Sequence, residues 1–160
     1  MAERGGISIR MAERSDAPEI ARMMREFDEH LAKLDGSEPW IDVNSATRKL
    51  VRLGFEEQSL FSCLLAEVEG RPVAYAIYHI GFWADDIEGA VFLTDLFVRT
   101  EARQKGFGKA LMARLGQIGR ERDCEKILWT VWRQNPAAQE FYESLGAKAI
   151  EDELFMSLAI

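Results

Sequence analysis

Val91-Phe92-Leu93-Thr94-Asp95-Leu96-Phe97-Val98 leads within a few residues into Arg103-Gln104-Lys105-Gly106-Phe107-Gly108-Lys109-Ala110, and this stretch decides the fold. An apolar run with so little alternation predicts a strand buried on both faces. Downstream, Gly108 to Arg122 places Leu111, Leu115 and Ile118 on one side of a helix. Between strand and helix lies a basic loop with two glycines. Consecutive backbone amides at a helix start, with glycines that let the chain turn and approach closely, form an anion cradle. Arg103, Lys105 and Lys109 add positive charge around it. Leu111 stands where a dinucleotide fingerprint needs its third glycine, and no Gly-Lys-Ser/Thr completes a P-loop. A diphosphate-cradling loop of another kind remains.

Upstream, Ile7, Ile9 and Met11 alternate with polar residues, which predicts a short strand. Asp16 and Glu19 form a capping-box-like pair with Pro18 in the first turn. Ile20, Met23, Met24, Phe27 and Leu31 then make one apolar helical stripe, broken by Asp35-Gly36-Ser37-Glu38-Pro39. A second helix spans about Ser45 to Leu53. Leu60 to Val68 and Val73 to Phe82 read as a hairpin around Glu69-Gly70. Ile127 to Trp132 reads as a strand. Asn135-Pro136 opens a helix that closes at Leu145-Gly146, and Leu154 to Leu158 reads as a last strand. The order β-α-α-β-β-β-α-β-α-β describes an α/β chain: a mixed, mostly antiparallel central sheet flanked by helices. Without repeats or linkers, residues 1–160 read as a single domain.

The chain has 160 residues, 48% apolar and 29% charged, an ordinary globular mix that argues against disorder. Its apolar stretches, such as Val73 to Tyr78, are far shorter than the ~20 residues of a membrane helix. Residues Met1 to Gly6 show no apolar leader. Cys63 and Cys124 lack metal-ligand spacing and read as reduced thiols, pointing to a cytoplasmic protein without a metal. A net charge of −7 argues against a general nucleic-acid binder. Yet Arg99, Arg103, Lys105, Lys109, Arg114, Arg120 and Arg122 face only Glu101 and Glu121 in their stretch. Such a basic island in an acidic chain suggests one anionic ligand, with a cationic partner elsewhere.

Arg103-x-x-Gly106-x-Gly108 between a buried strand and a helix resembles the acetyl-CoA pyrophosphate motif of the GNAT N-acetyltransferase superfamily. Asn135-Pro136-Ala137-Ala138-x-x-Phe141-Tyr142-x-x-x-Gly146 resembles its second signature, and Arg10-Met11-Ala12 to Asp16 its entry into the first helix. Phe61-x-Cys63-Leu64-x-Ala66-Glu67 and Leu93-x-Asp95-x-Phe97-Val98 look like the diamine (spermidine/spermine or thialysine) acetyltransferase branch.

The resemblance implies a homodimeric enzyme that acetylates a primary amine of a small molecule, polyamine-like or amino-acid-like, from acetyl-CoA. A protein N-terminus, an aminoglycoside, or an acetyl-CoA-binding sensor without catalysis are the alternatives. Arg103, Gln104, Lys105, Gly106, Phe107, Gly108 and Lys109 would hold the pyrophosphate, while the Leu96 and Val98 backbone would pair with the pantetheine arm. An amide near Leu96 or Phe97 would polarise the thioester carbonyl. Tyr142 matches the family's general acid, and Asn135 is an N-cap that can also touch the cofactor arm. Where the diamine branch carries a glutamate before the aspartate, this chain has Thr94-Asp95, and threonine accepts no proton at neutral pH. The base is then Asp95, a water chain or His79, or the substrate differs from that of the diamine branch. On the acceptor side, Asp85, Asp86 and Glu88, with Glu26, Asp28, Glu29 and Asp35, suggest a cation-attracting wall beside Trp83 or Trp40.

Overall fold

A computed structural model describes residues 7–159, so the reading of residues 1–6 lies outside the described residues. The chain forms two compact units, one reaching Thr130 and the other beginning at Val131. The first holds β1 (Ser8–Met11), α1 (Ala17–Asp35), α2 (Val43–Gly54), β2 (Ser62–Val68), β3 (Arg71–Trp83), β4 (Glu88–Val98), α3 (Phe107–Glu121) and β5 (Cys124–Leu128). The second holds α4 (Pro136–Ser144).

Local chemistry explains the element ends, with one correction. Asp16 precedes α1 without capping it by its side chain. The Arg10 fork holds both Asp16 oxygens (2.7 and 2.9 Å), the Glu13 amide adds a third bond, and Arg22 holds Glu19 (2.8 Å). The box therefore forms one turn earlier, between Glu13 and Asp16. Gly36 closes α1 at φ 75°, a left-handed conformation that glycine adopts without cost. Glu69 (φ 51°) and Gly70 (φ 76°) supply the two positive φ values of a tight hairpin turn.

The sheet runs β1-β2-β3-β4-β5, antiparallel through β4, with β5 parallel to β4 after the α3 crossover. From Trp83↔Glu88 to Tyr78↔Leu93 the β3–β4 ladder keeps one register; at Ile77↔Asp95 it has slipped by one. Thr94 is the extra residue of this bulge, and its Oγ1 donates to the Ile77 carbonyl (3.1 Å). Because side chains alternate, the slip turns the rest of β4 over. Val91 packs against Gly119 of α3, whereas Phe97 joins the core beneath α1 and α2 with Tyr75, Ile77, Cys63 and Ile20. The unalternating run is thus buried on both faces.

Two predicted strands need correction. The fifth begins and ends earlier than Ile127 to Trp132, at Cys124–Leu128, because its ladder to β4 stops at Phe92↔Leu128. In the second unit, described by itself, no strand follows α4 among the described residues. Leu154, Phe155, Met156 and Leu158 are 84–90% exposed. A strand needs a ladder partner, and within this unit the described residues supply none.

Candidate active site

The cradle forms where β4 leaves the sheet. A short 3₁₀ turn, Thr100–Ala102, carries the chain into Gln104 (φ 60°) and Gly106 (φ 89°), two left-handed residues separated by one. Such alternation turns successive N–H groups into one concavity. Gly106 is the N-cap of α3 and brings no capping side chain; the first helical bond is Ala110 N–H to the Gly106 carbonyl. The amides of Phe107, Gly108 and Lys109 thus lack intrahelical partners, and the helix dipole adds positive potential there. This amide set, free of a competing side chain, fits a pyrophosphate.

The basic side chains divide. Arg103 Nε donates to the Val98 carbonyl (3.1 Å), and its guanidinium lies over the Phe97 ring at 5.9 Å. Lys105 Nζ donates to the Glu101 carbonyl (2.8 Å), bracing the loop. Gln104, Lys105 and Lys109 are exposed. Arg99 does not serve the cradle: it is buried, bonded to Glu26 and Glu19 on α1 and to the Pro72 carbonyl. Arg99 therefore adds nothing to the basic island, because Glu19 and Glu26 already neutralise its charge. His30 of α1 feels the Arg103 charge; burial, then the charges of Arg103 and Lys33, hold its pKa below the usual range.

Next to the cradle, β4 has an unpaired edge. Its ladder with β5 ends at Phe92↔Leu128, while its ladder with β3 continues to Val98↔Ala74. Arg99 N–H bonds the Val73 carbonyl (2.9 Å). By antiparallel alternation, Phe97 and Asp95 also direct their backbone groups at β3. Leu96 and Val98 direct theirs at the open side. Of the two amides considered for the thioester carbonyl, Leu96 therefore faces the free edge and Phe97 does not; the Phe97 ring stacks on Phe27 of α1 at 5.3 Å.

Asp95 sits just past the bulge on the α1–α2 face. Tyr75, fully buried on β3, donates its hydroxyl to Asp95 Oδ2 at 2.6 Å. Burial raises the Asp95 carboxyl to about 6, against the opposing pull of the Tyr75 hydroxyl and the Leu96 amide. Burial and the neighbouring Asp95 charge push Tyr75 well above its usual range, so it remains a donor. The Tyr75 partnership escaped sequence reading because a tyrosine in an apolar run looks like packing. The available signal was its hydroxyl, which needs a partner when buried.

Other candidates lie apart from this pair or are already engaged. His79 is exposed and stacks on Phe92 (5.0 Å, 6°). Asp86 and Glu88 both bind Lys126 of β5, the Glu88 contact at 3.0 Å, which reduces their value as an acidic wall. Asp28 accepts from the Trp40 and Ile41 amides (2.7 and 2.8 Å), holding the loop before α2 and leaving Trp40 79% exposed. Trp40 borders a shallow concavity of about 330 Å³ with Arg25 and Asn44.

Within the second unit, Asn135 caps α4 by accepting from the Ala138 amide (3.2 Å), with Pro136 at the first helical position. Tyr142 lies on this helix, its ring 5.0 Å from that of Phe141.

Comparisons with known proteins agree with this geometry. The profile of the acetyltransferase (GNAT) family matches residues 22–147. The chain is 25% identical over 156 residues to the thialysine N-epsilon-acetyltransferase of Bos taurus, covering 91% of this chain and 86% of that protein. It is 32% identical over 154 residues to the spermidine/spermine N(1)-acetyltransferase-like protein 1 of Homo sapiens, covering 91% of this chain and 21% of that longer one. An integron cassette protein from the mobile metagenome of V. cholerae superposes with a TM-score of 0.81 at 25% identity, covering 96% and 92% of the two chains.

Proposed function

The chain belongs to the GNAT family of acetyl-CoA-dependent N-acetyltransferases, and on that premise we propose that its acceptor is the primary amine of a small molecule, polyamine-like or amino-acid-like. The open β4 edge that leads through a short turn to the uncapped start of α3 supports the acetyl-CoA half of this reading. The named relatives support the amine class, one acting on thialysine and the other named for spermidine and spermine.

Each part of the machinery has a physical task. Gln104 to Lys109 bind the pyrophosphate through amides, and Arg103 and the two lysines add charge. Leu96 offers its backbone donor and acceptor to the pantetheine arm and Val98 its amide, the Val98 carbonyl already accepting from Arg103. The Leu96 amide polarises the carbonyl under attack. Bound acetyl-CoA supplies an activated acyl thioester. Asp95 accepts a proton from the acceptor ammonium, which must lose it to become a nucleophile. Tyr142 is the acid for the departing thiolate, and Asn135 sets the start of its helix; both assignments rest on the motif Asn135 to Gly146.

Residues 1–160 act as one catalytic domain in this proposal. The enzyme is cytoplasmic, which the free thiols of Cys63 and Cys124 support. No helix among the described residues is long and apolar enough to cross a membrane. It works as a homodimer, a reading supported by the exposed apolar residues Leu154, Phe155, Met156 and Leu158.

Acetyl-CoA-dependent thiol release against diamines, polyamines, basic amino acids, an aminoglycoside and a peptide N-terminus tests the reading. Release with a small amine is expected. Acetyl-CoA binding without release from any acceptor would identify a sensor, and release with only the peptide or aminoglycoside would move the acceptor class.

A further inference from the structure

We propose that Tyr75 is a positioning residue for proton removal: its buried hydroxyl fixes the Asp95 carboxylate beside the open β4 edge and sets the pH above which that carboxylate is an ionised base. The inference rests on the acetyltransferase reading and deepens it. Three observations carry it. The Thr94 bulge places Asp95 on the same sheet face as Tyr75. The hydroxyl-to-carboxylate distance is 2.6 Å, a short charge-assisted bond. Asp95 also directly precedes Leu96 on β4, whose amide faces the unpaired edge where the thioester carbonyl would lie.

Packing fixes the donor. Tyr75 is fully buried among Ile20, Met23, Cys63 and Phe97, and its ring lies 6.0 Å from the Phe97 ring. The ring so held donates its hydroxyl to Asp95. Ionisable groups facing the pair are Cys63 on β2, His79 farther along the same face of β3, and Glu26 on α1. α2 contributes the apolar Ala46, Leu50 and Val51. Without the tyrosine hydroxyl the carboxylate would lose a strong bond and hold its proton to higher pH.

The proton balance is complete. The acceptor ammonium gives one proton to Asp95 and becomes a neutral amine. A carbon–nitrogen bond forms at the acetyl carbonyl and the carbon–sulfur bond breaks. The second nitrogen proton makes up the one that protonates the thiolate, giving an amide and free thiol. Asp95 then releases its proton to water. The first transfer is uphill from an alkylammonium near 10.4, and bond formation draws it forward.

The test is the pH profile of kcat for wild type, Tyr75→Phe and Asp95→Asn with one confirmed amine, at saturating acetyl-CoA. Wild type should show an acidic limb near pH 6. Tyr75→Phe should move that limb up by about one unit and lower the high-pH plateau several-fold, roughly 3- to 10-fold, with the acetyl-CoA KM near wild type. Asp95→Asn should lose the limb together with at least about 100-fold of the plateau rate. A Tyr75→Phe profile that superimposes on wild type, or that falls equally at every pH, overturns the proposal. So does a wild-type rate in Asp95→Asn. Carbon-13 titration of the aspartate carboxyls reads the pair without catalysis: the Asp95 signal should titrate near 6 and move up in folded Tyr75→Phe. An unmoved titration also overturns it. A moved titration in a protein that acetylates no amine would instead overturn the acetyltransferase reading, and the base role with it.

Discussion

Arg99, at the end of β4, holds Glu26 of α1 through a fork: its Nη2 lies 2.8 Å and its Nε 3.1 Å from Glu26 Oε1. Glu19 shares the same guanidinium at 2.9 Å. The pair ties the first helix to the strand end that launches the cradle. Breaking a buried pair by removing one partner costs about 3–5 kcal/mol. Here the Glu26 side chain is 41% exposed, so Arg99→Ala should cost less, about 2–4 kcal/mol in urea melts. Arg99→Lys should recover only part of it, because an ammonium cannot make the fork. Acetyl-CoA affinity of the folded variants should stay near wild type; a large loss would restore Arg99 to the ligand site.

Gly108 lies in the first turn of α3, among the amides without helical partners. Gly108→Glu puts a carboxylate where a pyrophosphate would sit and should abolish acetyl-CoA binding by calorimetry. The fold should survive, because acidic side chains are tolerated at helix starts. Unchanged affinity in a folded Gly108→Glu protein removes the cradle assignment.

Tyr142→Phe keeps the ring packed beside Phe141 and removes the hydroxyl. Turnover should fall by about 10- to 10⁴-fold, with acetyl-CoA affinity near wild type, since water can partly replace the acid. Steady-state kinetics with the identified amine decide it. Unaltered turnover would leave the hydroxyl a structural role.

Asp95 also sets a pH dependence of stability. Its folded pKa of about 6 lies above the roughly 3.9 of an unfolded aspartate, so the native state binds the extra proton between these values. Stability from this group is full below pH ~4 and is lost as pH rises through about 6, by about 2–3 kcal/mol. Asp16 works oppositely: the Arg10 hydrogen bond, opposed by burial, lowers its pKa, so its contribution is lost on acidification. Urea melts of wild type and Asp95→Asn at pH 4.5 and 7 should show the variant gaining relative stability at the higher pH. A pH-independent difference would mean that Asp95 is not desolvated.

Much of the frame was legible because it rests on local rules. The stripe from Ile20 to Leu31 could only be a helix with one buried side, and Glu69-Gly70 could only be a tight turn. Gly106 and Gly108 between strand and helix marked the cradle for the same reason: backbone geometry there depends on adjacent residues. Leu154 to Leu158 was misread since strand propensity does not provide a ladder partner. Arg99 was misassigned since net charge along a sequence does not reveal that Glu19 and Glu26 arrive from α1.

What the sequence determined by itself, then, is the order of elements, the hairpins and the amide cradle, each fixed by periodicity or turn chemistry within a few residues. The pairing of Tyr75 with Asp95 was decided by tertiary structure alone. The register that starts at Trp83↔Glu88, continued without interruption, would set Asp95 opposite Ala76, on the other face of the sheet from Tyr75. The Thr94 bulge shifts it opposite Ile77 and brings carboxylate and hydroxyl together. A run that is apolar on both sides does not dictate which face each residue takes. That choice was made by α3 packing on Val91 from one side and α1 packing on Phe97 from the other, a demand met only by inserting one residue between them.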